Sequence, residues 1–296
     1  MNGTLRFVTA LFALLLLAAP NLSAQGEPAG GDEVTPSEIR ARYEAIAGDF
    51  ESRMKAFQDA FAELKTDEER RQHYEENYPD AGAIALPLLA LAKEHPQVVG
   101  LEAVEWAMDN RVGGPAREAA LELLAEHFLS DPRIADMLWN FAYDIDANTG
   151  SLLRAVMKTS DDEKTLGIAH YAFAKHLQGQ VSFARYYTDA EETEKTQMAE
   201  YFGEETIASL TDLDSAAVER ECESLFAKIV ESYGEIPSMR GPDTLGDIAG
   251  RDLFELRNLS VGKQAPEIEG EDLFGSTFKL SDYRGKVIFL DFWGDW

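Results

Sequence analysis

Apolar residues follow two rhythms along this chain. As far as about Val230 they recur every three or four residues, the period of one helix face, and from Val261 they form short runs broken by turn residues. Thr35-Pro36-Ser37-Glu38 opens the first helix, with Thr35 as N-cap, Pro36 at the first helical position and Glu38 closing a capping box. Ile39, Tyr43, Ile46, Phe50, Met54, Phe57, Phe61 and Leu64 then share one stripe, which predicts a long helix with a core-facing side. Thr66 to Glu69 repeats the capping-box signature, and Pro79 ends that second helix.

Between Asp80 and about Gln178 the spacing predicts helical hairpins in series. Pro115 after Gly113-Gly114, Pro132 after Ser130-Asp131, and Ser160 with Glu163 each mark a helix start. Leu91-Ala92 and Trp106 recur as Leu124-Ala125 and Trp139, and a fainter third copy lies near Met157 and Ala172. A period in roughly the low thirties is the length of a two-helix solenoid unit. No tetratricopeptide or HEAT consensus is met, so the prediction is stacked helix pairs without a named repeat. Two more helices are expected. One runs from Asp189 to Phe202, and the other begins near Asp214 and carries Val218, Cys222, Leu225, Phe226, Ile229 and Val230. Cys222 lies on that apolar face, the place of a small buried hydrophobe and not of a reactive thiol.

After Tyr233 the character changes. Gly234, Pro237, Gly241-Pro242, Gly246 and Gly250 predict a linker over 234–260, interrupted by a short apolar element at Leu253 to Leu256. Leu273 to Leu280 reads as a hairpin with Gly275 in its turn, and Ser281 to Gly285 as a tight connection. The apolar run after Gly285-Lys286, bounded by Gly294-Asp295, reads as a buried strand.

Composition narrows the function classes. A hydrophobic share of 45% in 296 residues is that of a globular chain with one large domain or two ordinary ones. The 54 acidic residues against 27 basic ones give a formal charge of −27, which excludes nucleic acid as a partner and otherwise describes a solvated surface. A single cysteine, Cys222, can form neither an internal disulfide, nor a CxxC pair, nor a cysteine metal cage.

The first residues read as an address. Arg6 gives a basic start, Phe7 to Ala19 is apolar, Pro20 breaks the run, and Leu22-Ser23-Ala24 resembles a cleavage site. This predicts a secretory signal peptide over 1–24, a flexible spacer over 25–34, and export to a periplasmic or extracellular space. The apolar run is too short for a comfortable membrane span, so no stable membrane anchor is expected. The histidines, His73, His95, His127, His170 and His176, sit in helical segments without metal-ligand spacing. No GxSxG elbow, phosphate-binding loop or dinucleotide fingerprint is present, so neither a metal nor a cofactor is expected.

The last segment carries a resemblance. Val261-Gly262-Lys263-Gln264-Ala265-Pro266-Glu267-Ile268, then Lys279-Leu280-Ser281-Asp282-Tyr283-Arg284-Gly285-Lys286, then Val287 to Trp296 follow in order and spacing the opening of the redoxins. These are the alkyl hydroperoxide reductase/thiol-specific antioxidant group and the exported thioredoxin-like thiol–disulfide oxidoreductases. The resemblance covers about an eighth of the chain and rests on several short pieces in combination. It implies thiol–disulfide exchange or antioxidant activity, with a protein disulfide, a dithiol partner or a peroxide as substrate. In that family a Cys-x-x-Cys active site follows directly, so no catalytic residue lies in the chain and the nucleophile is expected just after Trp296. Asp291 matches the acid that lies beneath the active site in thioredoxin proper; its plain alternative is an aspartate hydrogen-bonded at a strand end. Trp296 matches the tryptophan that precedes the nucleophile, and Trp293 belongs to the same supporting set.

Three explanations stand for an end at this point: a break in the gene record, a true stop, or a UGA codon for selenocysteine. The expected architecture is mainly α. A helical-hairpin, solenoid-like domain over 35–233 and a linker over 234–260 precede the first strands of a truncated α/β thioredoxin-like fold over 261–296. The alternative function is a helical solenoid that binds a protein partner, its redoxin segment vestigial.

Overall fold

The computed structural model describes residues 34–239, 241–260 and 262–291. The expected signal peptide, nearly all of the spacer, Trp293 and Trp296 lie outside these described residues. The protein is mainly α. Helices α1 (Pro36–Glu63), α2 (Asp67–Asn77), α3 (Ala81–Glu94), α4 (Leu101–Asp109), α5 (Gly114–His127), α6 (Ala147–Thr159), α7 (Glu163–Asp189), α8 (Glu192–Phe202), α9 (Glu204–Thr211), α10 (Ser215–Ser232) and α11 (Leu245–Asn258) follow in order. A two-stranded hairpin, β1 (Glu269–Glu271) and β2 (Thr277–Lys279), follows α11.

Local chemistry places most of the boundaries. Thr66 caps α2, its hydroxyl accepting from the Glu69 amide at 3.2 Å while the Glu69 carboxylate accepts from the Thr66 amide at 3.0 Å. Pro115 lies in the first turn of α5, where its missing N–H costs nothing. The start of α7 differs from expectation by two residues. Asp162 caps it, its carboxylate accepting from the Thr165 amide and hydroxyl at 2.8 and 2.6 Å, because Asp162 stands where its oxygen reaches the third helical N–H. Helix α7 also continues unbroken to Asp189, well past Gln178.

The helices stack in sequence. Helix α3 packs on α1, α4 and α5, then α5 meets α6 and α6 meets α7. The second member of the middle pair is not an α-helix. Pro132–Ile134 and Met137–Tyr143 are 3-10 turns, so Trp139 repeats the position of Trp106 without repeating its element. In the seven-residue turn, Met137, Leu138, Trp139, Phe141 and Ala142 are all buried, a coverage that one amphipathic helix face does not provide.

Helix α7 is the central post, touching α6, the 3-10 segment, α9, α10 and α11. A continuous core runs from Ile39 on α1 to Ala249 on α11. The stripe of α1 divides between two settings. Ile39, Tyr43 and Phe50 enter the core, whereas Phe57 stacks on His73 of α2 at 4.8 Å in a satellite cluster with Phe61, Tyr74 and Tyr78.

Residues 234–260, expected as linker, hold helix α11. Thr244-Leu245-Gly246-Asp247 is a full capping box, with the Thr244 amide donating to Asp247 at 2.9 Å and the Asp247 amide to Thr244 at 3.2 Å. Leu245 and Ala249 are fully buried against the rest of the helical core. Lys175 of α7 and Asp252 of α11 pair at 2.9 Å, and the Tyr171 hydroxyl donates to the same carboxylate at 3.0 Å. The glycines that suggested a linker have another purpose here. The Gly234 and Gly246 backbones approach so closely that a Cβ on Gly246 would stand 2.9 Å from the Gly234 Cα.

Candidate functional site

The described segment 262–291 holds most of the residues of the redoxin resemblance, which runs from Val261 to Trp296. Its hairpin is antiparallel, with Glu269 opposite Lys279, Gly270 opposite Phe278 and Glu271 opposite Thr277. Asp272 builds the turn, one carboxylate oxygen accepting from the amides of Phe274 at 2.8 Å and Ser276 at 2.9 Å. Gly275 adopts φ +79°, a conformation that its missing side chain permits. The hairpin expected over Leu273 to Leu280 begins earlier, at Glu269, so Leu273 and Phe274 lie in the turn with Gly275.

Side chains fasten the following turn to the hairpin. Glu267 accepts from the Ser281 amide at 2.9 Å, and hydrogen bonding to the Ser281 side chain first, and to this amide next, holds its carboxyl below the usual glutamate range. Asp282 accepts from the Lys279 amide at 2.9 Å, and Lys279 forms an ion pair with Glu269 across the two strands. The Leu-Ser-Asp-Tyr stretch of the resemblance is thus the 3-10 turn Leu280–Tyr283, with Gly285 at φ +83° behind it.

The expected buried strand is not formed over 287–291. These residues have no regular secondary structure, and Val287 and Phe289 are 104% and 90% exposed. A strand becomes buried only when neighbours pair its backbone and cover both faces, and the β1–β2 hairpin supplies neither. Asp291 is exposed in consequence, and Trp293 and Trp296 lie outside the described residues.

The helical body offers no substitute for a thiol exchanger. Cys222 is buried on α10, its Sγ 3.6 Å from the Ala174 carbonyl, and burial reinforced by Glu221 and Glu219 pushes the thiol up to about 12. The buried histidines act locally. His170 Nδ1 lies 2.7 Å from the Leu166 carbonyl and its Nε2 lies 2.8 Å from Lys228 Nζ. The ammonium can only donate, so the ring is neutral with its proton on Nδ1. His176 Nδ1 lies 2.6 Å from the Asp144 carbonyl. Burial lowers the pKa of both rings, with Lys228 adding to the effect at His170. Among the described residues no group of three or more His, Cys, Asp or Glu could hold a metal ion. No helix among the described residues is long and apolar enough to cross a membrane.

Comparison with known proteins agrees with the segment's motifs. The chain is 53% identical over 38 residues to the thiol-disulfide oxidoreductase ResA of Geobacillus kaustophilus, 46% over 39 residues to that of Bacillus subtilis, and 45% over 38 residues to that of Bacillus anthracis. Each match covers 13% of this chain and 22% of the relative, so the chain spans about a fifth of the relatives' length. These matches support a thioredoxin-like, redoxin relationship for a short stretch. No family model matches the chain, and no solved structure matches it either.

Sequence reasoning missed α11 and the Lys175–Asp252 clamp. The signal for the first was present, since Thr244 and Asp247 have the spacing of a capping box. The clamp spans helices far apart in sequence, which no local pattern reveals.

Proposed function

We propose that this chain belongs to an exported thioredoxin-like protein of the thiol–disulfide oxidoreductase type, in which the helical body precedes the exchange domain. The carrying observation is the ordered set of redoxin motifs from Val261 to Trp296 together with identity of 45 to 53% to ResA proteins over 38 residues. A dithiol exchanger attacks through a thiolate and resolves the mixed disulfide with a second thiol. Residues 1–296 hold one cysteine, buried Cys222, whose raised pKa suppresses the thiolate. The exchange pair belongs by resemblance after Trp296, and Asp291, Trp293 and Trp296 belong to its support. Peroxide and protein disulfides are both substrates of such chemistry, and reading the codons after Trp296 tests the assignment of the nucleophile.

The activity test is insulin reduction by dithiothreitol in the presence of residues 1–296. The expected rate equals that of dithiothreitol alone. A rate above it would overturn the assignment of the exchange residues. A second reading, the helical body as a protein-binding module, is favoured by its stacked helices and by α11, which completes its core without help from 262–291.

A further inference from the structure

A groove of about 1330 Å³ opens on the helical body where α4, the turn into α5, the 3-10 segment, α8 and α9 converge. Its lining is unusual in two ways. Tyr143, Tyr201 and Met239 are large apolar side chains left 58%, 83% and 53% exposed, and all three line this one groove. Its charges are also unbalanced. Arg117 is held by Asp144, Arg133 by Asp131 and Asp136 by Lys164, which leaves Glu105, Asp109 and Arg111 as the lining charges without an ion pair among the described residues.

Glu105 is the most telling of these. Burial first, and the neighbouring Asp109 carboxylate next, hold its carboxyl above the usual glutamate range, and Arg133, engaged with Asp131, offsets only part of that. Aromatic rims beside carboxylates suit a chain that alternates basic and apolar side chains, and the overall charge of −27 attracts such a partner from a distance.

We propose that this groove binds an extended, lysine- or arginine-bearing segment of a partner polypeptide. Glu105 and Asp109 take its cations, while Tyr143, Tyr201 and Met239 take its apolar side chains. The proposal rests on the reading of the helical body as a binding module and is independent of the redox reading.

The test uses the full chain and a fluorescein-labelled synthetic dodecapeptide of alternating lysine and leucine, with a glutamate-for-lysine peptide as control. Fluorescence anisotropy should show saturable binding of the basic peptide only. Glu105→Gln with Asp109→Asn should weaken it about tenfold, as the loss of two ion pairs would. Tyr201→Ala should weaken it about fivefold or more. Glu51→Gln with Glu63→Gln, a pair of α1 acids away from the groove, should leave the affinity unchanged. Equal losses at the groove and at α1 would reduce the effect to net charge and overturn the site while leaving binding intact. No saturable binding of the basic peptide would overturn both the site and the binding-module reading. Self-association in sedimentation that Tyr201→Ala abolishes would give the groove to a second copy of this chain and overturn the proposed partner.

Discussion

In the helical body, most of the apolar residues that a three-to-four spacing puts on one face are covered by other helices of the same body. In segment 262–291, residues of equal hydrophobicity are not. Phe226 on α10 is fully buried with its ring 6.2 Å from Tyr171, whereas Phe289 stands 90% exposed. Leu245 is fully buried and Leu273 is 99% exposed. The difference lies in how each region acquires its partners. A helix satisfies its own backbone and needs cover for one stripe only, which a neighbouring helix supplies. A strand over 287–291 needs backbone partners on both edges and cover on both faces, and a two-stranded hairpin alone is marginal in water.

The largest consequence is a contrast between two phenylalanines. Phe226→Ala should cost about 3–5 kcal/mol of helical-body stability, since it removes a fully buried ring at the junction of α10 with α7. Urea unfolding followed by circular dichroism measures it, and a cost under about 1 kcal/mol would break the picture of one continuous core.

A smaller effect follows from the two buried histidines. Their folded pKa values lie below the ordinary value of about 6.5, so the unfolded chain binds protons more readily than the folded one. Stability should be fully present above pH 6.5 and decline as the pH falls below it. Burial raises the carboxyl of Asp144, which works in the opposite sense nearer pH 4 and offsets part of that loss. A set of urea midpoints between pH 5 and 8 checks the direction, and His176→Gln should flatten the profile. A profile that rises toward acid would contradict the assignment of neutral rings. Smallest of all, Phe289→Ala should change the same midpoint by no more than about 0.5 kcal/mol equivalent, because the side chain it removes is exposed.

Most of the helical body is legible in the sequence because its signals are local. Thr66 with Glu69, Pro115 behind two glycines, and Cys222 in the stripe of α10 each act within a few residues of where they stand. The misreadings arise where distant parts decide. Helix α11 looks like linker because Gly246 and Gly250 punctuate it, yet Gly246 serves a close backbone approach to Gly234 that only the folded chain reveals. Asp252 becomes a clamp only when α11 lies against α7. The 3-10 turn at Met137–Tyr143 departs from its repeat because five of its residues need burial at once. At the candidate redox site, motif order was legible while burial was not, since Asp291 draws its surroundings from strand neighbours and not from adjacent residues.

The central claim is that the helical body holds its fold through its own core while 262–291 does not. Hydrogen exchange read by mass spectrometry on the full chain tests it most directly. Amides of α7 and α10 should remain protected for hours at neutral pH, and those of 287–291 should exchange within seconds. Protection of 287–291 equal to that of α7 would contradict the account.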